Sequence, residues 1–375
     1  MANNVSAFLE TLVAASGDYN AAKVSQLSFL SGVYLDVKSE VGRAGKTIDV
    51  YFPDLGAFTD QQANPWTPES LNPNFVPVVF NQRPGKAIAI HDFEQWQTAV
   101  QIGEKFLDPA YKRGLEYFNA QIASLVNTTN FNAYTPVQCQ TPQEISVRDA
   151  SRAWNRLAGN KVPVSDPSML SIFKHNDVHA AMVNDTQWNQ ESLVGITAAE
   201  KARQQADLGM SFKFQHKWDQ QAPKTSVALT GTLAPTNGSA TVAGTGTSYT
   251  TQVNVGDNII FAGDNTETPY RVAAVGSNTS LTLTANYLGT TLASTTANTY
   301  SYTCLASHKY AMALAVRPLE LVNNGQTHSR IIMLMGIPFR VQVSYEHMLS
   351  SWVMTIDAGC AVAMLRPEFG AIIKA

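Results

Sequence analysis

Charge is scarce in this sequence. Lys, Arg, Asp and Glu make up 15% of 375 residues, and the formal net charge is −3. Globular chains usually carry about a quarter. No basic tail or arm is present, so nothing global points to nucleic-acid or membrane-surface binding. Surfaces that are neutral, or covered by partners, are expected. Cysteine is rare too. Cys139, Cys304 and Cys360 stand far apart with no CxxC or CxH pair, which argues against a cysteine-based zinc site. Buried free thiols in a reducing compartment are expected. No window reaches the ~18 apolar residues of a membrane span. The start, MANNVSAFLETLVAASGDYN, has neither the basic opening nor the unbroken apolar core of a signal peptide. Synthesis in a cytoplasm without export is expected.

The motifs of common catalytic sites are also missing. There is no GxSxG elbow, no GxxxxGK[ST] phosphate loop and no GxGxxG between strand and helix. No nucleophile–base pair can be defended, so neither an enzyme nor a cofactor is expected. His175 and His179 stand at i and i+4 on an expected helix, a spacing that can place two imidazoles on one metal. HNDVH lacks the Glu of HExxH, and no third ligand is evident, so packing or surface histidines are the expectation. Asp257, Asp264 and Glu267 resemble no calcium-loop spacing and read as solvated turn residues.

What is present centres on Asp108 to Val126, DPAYKRGLEYFNAQIASLV. Asp108 can cap a helix and Pro109 suits its first turn. Tyr111, Leu115, Phe118, Ile122 and Leu125 fall on one face at 3.6-residue spacing, with Lys112, Arg113, Glu116, Asn119 and Gln121 elsewhere. Just upstream, Val76 to His91 reads as a hairpin with Arg83-Pro84-Gly85-Lys86 at its tip. Before that come helices at Val5 to Ala15 and Val24 to Val41, a strand at Lys46 to Phe52, and a proline-rich loop at Pro53 to Phe75. So apolar a terminal arm must pack on its own body or on a neighbour.

Downstream, Glu144 to Leu157 reads as a helix with Ile145, Ala150, Trp154 and Leu157 inward. Met169 to Met182 and Thr197 to Leu208 look helical, and Met210 to His216 strand-like. The composition then shifts. From Thr225 to Thr303 the only charged residues are Asp257, Asp264, Glu267 and Arg271, and about a quarter of the residues are threonine. Short β-type runs alternate there with turn clusters, as in a small sandwich or barrel. Past Cys304 the earlier composition returns, with strands at Arg330 to Met335, Pro338 to Ser344 and Ser351 to Ile356. An all-β module inside a larger α+β body is expected, its two ends lying close together.

These parts in this order resemble the major capsid proteins of tailed bacteriophages with the HK97-type fold, nearest the P22 coat protein group. Local likenesses are Ser307-His308-Lys309-Tyr310-Ala311-Met312-Ala313-Leu314-Ala315 after the module, the closing Leu365-Arg366-Pro367-Glu368, and GTGTSYTTQVNVGD within the module. The module departs from the family in being too neutral to mirror the charged loops of a P22-like insertion domain. The resemblance implies an N-terminal arm (1–45), an extended loop and β-hairpin (46–92) and a spine-helix region (93–126). It further implies an apical and peripheral α+β body (127–224 and 304–375) and an all-β insertion domain (225–303). It implies a coat protein of the virion, made in the host bacterial cytoplasm, self-assembling as hexamers and pentamers around double-stranded DNA without sequence specificity. A scaffolding protein, a portal and a decoration protein are the implied partners. Expected inter-subunit contacts are Phe8, Leu12, Phe29 and Leu30 of the arm, with Arg83, Lys86, Asp92 and Glu94 near the hairpin. An encapsulin-like compartment shell, a tail or fibre protein, and a metal-dependent hydrolase using His175 and His179 are the alternatives.

Overall fold

The computed structural model describes residues 29–37, 47–52, 74–91, 108–139, 141, 143–184, 210–211, 214–264, 268–324, 327–334, 336–346 and 351–375. In chain order come β1 (Tyr34–Val37), β2 (Thr47–Phe52), β3 (Asn74–Val79), β4 (Gly85–His91), α1 (Asp108–Ser124), β5 (Val137–Gln138) and α2 (Val147–Gly159). Next are β6 (Leu170–Lys174), α3 (Asn176–Asn184), β7 (Met210–Ser211), β8 (Phe214–Trp218), β9 (Lys224–Ala228), β10 (Thr232–Pro235), β11 (Thr241–Thr245) and the one-turn α4 (Tyr249–Gln252). The remaining strands are β12 (Asn258–Phe261), β13 (Tyr270–Ser277), β14 (Ser280–Leu283), β15 (Ala297–His308), β16 (Met312–Arg317), β17 (Thr327–Leu334), β18 (Ile337–Glu346), β19 (Ser351–Asp357), β20 (Gly359–Met364) and β21 (Gly370–Lys374), with 3-10 turns at Lys309–Ala311 and Pro367–Phe369. The chain is mixed α and β with strands predominating.

It divides into two compact units. Among described residues, the first holds Val33–Gln121 and Met312–Leu365. It contains three sheets, ordered β1-β16-β20, β17-β18-β19-β4 and β2-β3. Strand β16, MALAVR, is buried at every position, as a central strand covered on both faces should be. Val78, Phe80, Ala313, Ala315, Ala361 and Leu365 form one apolar cluster beside it.

The second unit, Ser28–Gly32, Ile122–Ala311 and Arg366–Ala375, is built on a twelve-stranded sheet. Its axis is β15. The first half of β15 pairs with β9 and β12, and the second half with β6 and β21. Strands of the threonine-rich segment enclose their own core, including Leu233, Val242, Tyr249, Ile259, Phe261 and Tyr287. Helix α2 starts at a capping box. Ser146 Oγ accepts from Asp149 N, and the Asp149 carboxylate accepts from Ser146 N and Oγ. Its buried face is Ala150, Ala153 and Leu157, while Trp154 is only half-buried.

Several expectations are corrected. β3 and β4 are not a hairpin: β3 pairs with β2 and β4 with β19, so the chain crosses between sheets before Gly85, and Gly85 and Lys86 are already ladder residues of β4. The period-2 pattern was right, but each strand gains a longer ladder elsewhere. Pro77, which cannot donate, sits in a strand with one partner. The helix expected over Val24 to Val41 is, where described, a 3-10 turn (Phe29–Gly32) followed by β1. Gly32 and β-branched Val33 disfavour helix there, and pairing with β16 decides the outcome. Met169 to Met182 is strand β6 and then α3; the run LSIFK is buried throughout and reads either way by periodicity. On α1, Tyr111, Leu115, Phe118 and Ile122 are buried as expected. Asn119 is buried too, and Val126 rather than Leu125 closes the stripe. The helices expected at Val5 to Ala15 and Thr197 to Leu208 lie outside the described residues, as do residues 53–73 of the loop.

Candidate interaction cleft

Within the first unit, the Arg83-Pro84-Gly85-Lys86 segment, the start of α1 and strand β18 enclose a cleft of about 920 Å³. Its floor is apolar, with Ile88, Pro109, Ala110, Gly114, Phe339 and Ile356. Its cations are Arg83, Lys86 and Arg113, and no acidic side chain lines it among the described residues.

Backbone contacts fix the crossover. Cys360 N donates to Gln82 O at 3.0 Å and Ala358 N to Pro84 O at 3.1 Å. Gly85 is needed by a close approach, since a Cβ there would stand 3.0 Å from Asp357 Cβ and 3.1 Å from Ile356 O. Gly114 does the same for the helix wall, because its Cβ would meet the Phe339 ring at 2.8 Å. A glycine inside a helix costs about 1 kcal/mol against alanine. Here it lets α1 lie against β18, with Tyr111 and Phe118 flanking Phe339 at 5.6 and 5.7 Å between ring centroids.

The charges are unbalanced. Asp357 receives two guanidiniums: Arg83 through Nε at 3.0 Å and Nη2 at 2.5 Å, and Arg340 through Nε at 2.9 Å and Nη2 at 2.7 Å. Arg340 also donates to Glu320 O at 2.6 Å. Arg113 pairs with Glu116 at 2.8 Å. Among the described residues, one positive charge is therefore in excess at Asp357 and a second at Lys86. The Arg83 side chain is 64% exposed, so its charge faces water despite the ion pair. Such a surface can hold carboxylates or other oxyanions on its rim and apolar groups on its floor.

No protein-family model matches the chain, and no curated protein matches it. Solved structures do resemble it. Among them is the capsid of the cyanophage P-SCSP1u, at 10% identity and TM-score 0.47, covering 92% of this chain and 86% of that one. Another is the capsid of Ralstonia phage GP4, at 9% identity and TM-score 0.46, covering 93% and 91%. A third is the mature capsid of bacteriophage PhiM1, at 9% identity and TM-score 0.45, covering 92% and 86%.

Of the residues singled out from sequence, Arg83 and Lys86 meet in the cleft. Phe29 is not on the surface: it is fully buried, edge-on to Phe173 of its own chain at 4.9 Å. Leu30 is half-buried. Phe8, Leu12, Asp92 and Glu94 lie outside the described residues. His175 packs on Tyr302 and His179 stacks on Trp218, so different neighbours take the two rings. Among the described residues no three His, Cys, Asp or Glu side chains are grouped to hold a metal. No helix there is long and apolar enough to cross a membrane. Arg113, Arg340, Phe339 and Asp357 were missed. Gly114, an otherwise costly residue within an amphipathic helix, was the one available signal for Phe339.

Proposed function

We propose that this chain is a shell-forming structural protein, the major capsid protein of a tailed phage with an HK97-type fold. Copies would associate as hexamers and pentamers into an icosahedral virion shell around double-stranded DNA held without sequence specificity. A scaffolding protein, a portal and a decoration protein would take part, and the reading assigns no reaction to the chain. In it, residues 1–45 are the arm, 46–92 the extended loop, 93–126 the spine-helix region, 127–224 and 304–375 the body, and 225–303 an inserted β domain. Support for that last boundary is the handover of β15 from one set of partners to another at Tyr302 and Thr303.

The observation that carries the reading is the cleft: two uncompensated cations above an apolar floor, on a chain otherwise poor in charge. A shell subunit needs surfaces that complement another copy and are individually weak, since closure adds many contacts. Lys86 and Arg83 would receive acidic side chains of a neighbouring copy, with Asp92 and Glu94 as candidates. Phe8 and Leu12 of the arm would add apolar burial. Exposed ion pairs of this kind contribute ~0–1 kcal/mol each, which suits reversible assembly.

The test is negative-stain electron microscopy with sedimentation velocity, on wild type and on Lys86→Glu/Arg83→Gln, each purified and held at high concentration under assembly-favouring conditions. Closed particles or capsomer rings from wild type, and folded but unassembled protein from the variant, are expected. Normal closed shells from the variant would remove the cleft from the interface. A homogeneous monomer from wild type at every concentration and salt tried would overturn the shell reading.

A further inference from the structure

Lysine 174 is placed where lysine is rarely found. It ends strand β6 in the middle of the second unit's sheet and has no solvent exposure. Its Nζ lies 3.0 Å from His216 Nδ1 on β8 and 3.0 Å from Met182 Sδ on α3. An ammonium needs three acceptors. This one has an imidazole nitrogen and a thioether, which is a weak acceptor.

The groups nearest it come from three elements, while the 3-10 turns Phe29–Gly32 and Pro167–Met169, which also pack on β6, carry no titratable side chain. His216 is on β8, Met182 and His179 are on α3, and Cys304 is on β15. None carries a compensating negative charge. Burial pushes the Cys304 thiol up to about 12, so it is neutral, and the Lys174 charge opposes protonation of His179. Asp219 N–H donates to the Lys174 carbonyl, and the Asp219 carboxylate accepts from Gln221 N. Asp177 is occupied by Lys224 Nζ and Tyr302 OH, each at 2.7 Å. A buried charge without a partner is expensive, and the group responds by giving up its proton or by finding water.

We propose that Lys174 and the helix above it form a proton-operated latch. The neutral amine lets α3 close on β6 and β8, and a proton on that amine forces the C-terminal half of α3 away so that the ammonium can hydrate. Which half moves follows from the contacts. The first turn of α3 is anchored by Asp177 to Lys224 and Tyr302. Met182, five residues on from Asp177, stands directly on the amine, and His179 rests on the Trp218 ring at 3.8 Å and 8°. His179 Nδ1 is buried without a hydrogen-bond partner, so that nitrogen does not hold the stack closed. Burial, the dominant cause, brings Lys174 down to about 7 from 10.5, so the transition falls near neutral pH. The proposal concerns the second unit by itself and is independent of the shell reading.

The test is hydrogen exchange of the full chain at about pH 6 and about pH 8.5, corrected for the intrinsic pH dependence of exchange. The amides of His179 to Val183 are expected to lose protection on the order of tenfold at the lower pH, as the amine fills with protons, with those of β6 unchanged. In Lys174→Met, an apolar replacement of similar length, the loss disappears. In His216→Gln, which keeps an acceptor for the ammonium, it remains. Equal corrected protection of wild type at both pH values overturns the latch whatever the variants do. So does the same response in Lys174→Met, or loss of the response in His216→Gln, which would assign the proton to the histidine.

Discussion

Arg317 has no solvent exposure, and its guanidinium closes on Asp36 from the opposite end of the chain, with Nη2 to Oδ2 at 2.8 Å. Nη1 also donates to Asp36 O at 2.7 Å and Val316 O at 2.9 Å. The pair fastens β1 to β16 beyond the backbone ladder of those parallel strands. Asp36→Ala leaves a buried guanidinium without its counter-charge and is expected to cost about 3–5 kcal/mol. Arg317→Met together with Asp36→Leu removes both charges and is expected to be far milder, because both desolvation penalties go with them. Urea unfolding followed by circular dichroism separates the two. Similar losses in both would mean that packing, not the ion pair, holds β1.

Asp357 offers an internal control for exposure. Arg83 and Arg340 bind the same carboxylate, with side chains 64% and 7% exposed. Arg340→Ala is expected to cost several kcal/mol, roughly 2–4, by stripping a buried carboxylate of its bidentate partner. Arg83→Ala is expected to cost under about 1 kcal/mol, since water screens that pair. The order, read from denaturant midpoints, should hold at 0.5 M salt, with the Arg83 effect shrinking further. A larger loss for Arg83 than for Arg340 would contradict the burial assigned to them.

Local chemistry explains which features could be read in advance. The α1 stripe from Tyr111 to Ile122 was legible because one face repeats at helical spacing. The strands at 258–261 and 270–277 were legible because alternation and flanking turns agree. The hairpin failed because alternation says that a segment is a strand but not which strand it meets; β4 found β19 some 265 residues later, and no local signal encodes that. The cleft was half visible. Arg83 and Lys86 stood out at a turn, while Asp357 and Arg340 are ordinary residues until the β18–β19–β4 register brings them together.

All three cysteines are free and buried. Burial pushes Cys304 and Cys360 up to about 12 and Cys139 well above its ordinary value, with Asp149 adding to the last. The thiolate is the reactive species, so all three should be inert in the native protein. A disulfide-exchange reagent at pH 8 is expected to find no thiol within minutes under native conditions and three in guanidinium. One thiol reacting natively would reveal local opening, and its position, read by mass spectrometry, would say where.

Acid should weaken the second unit through His179. Desolvation is the main cause of its depressed basicity and the Lys174 charge the second, together bringing it to about 3 from 6.5. Between those values the unfolded chain binds a proton that the folded chain refuses. The unfolded state therefore gains protons relative to the folded one as pH falls, and stability drops with it. The contribution is fully present above about 6.5 and is lost progressively down to about 3, below which both states are protonated. His179→Phe keeps a ring to stack on Trp218 but cannot take the proton. Placed in Lys174→Met, where no proton can open α3, the variant should match its parent at neutral pH and pull ahead of it as the pH is lowered from 6.5 to 4, in thermal midpoints or in denaturant curves. Parallel curves for the two proteins across that range would show that His179 is reached by water and protonates freely in the fold. That outcome would also count against the packed stack at Trp218, since a ring that hydrates without cost cannot be one closed over by α3.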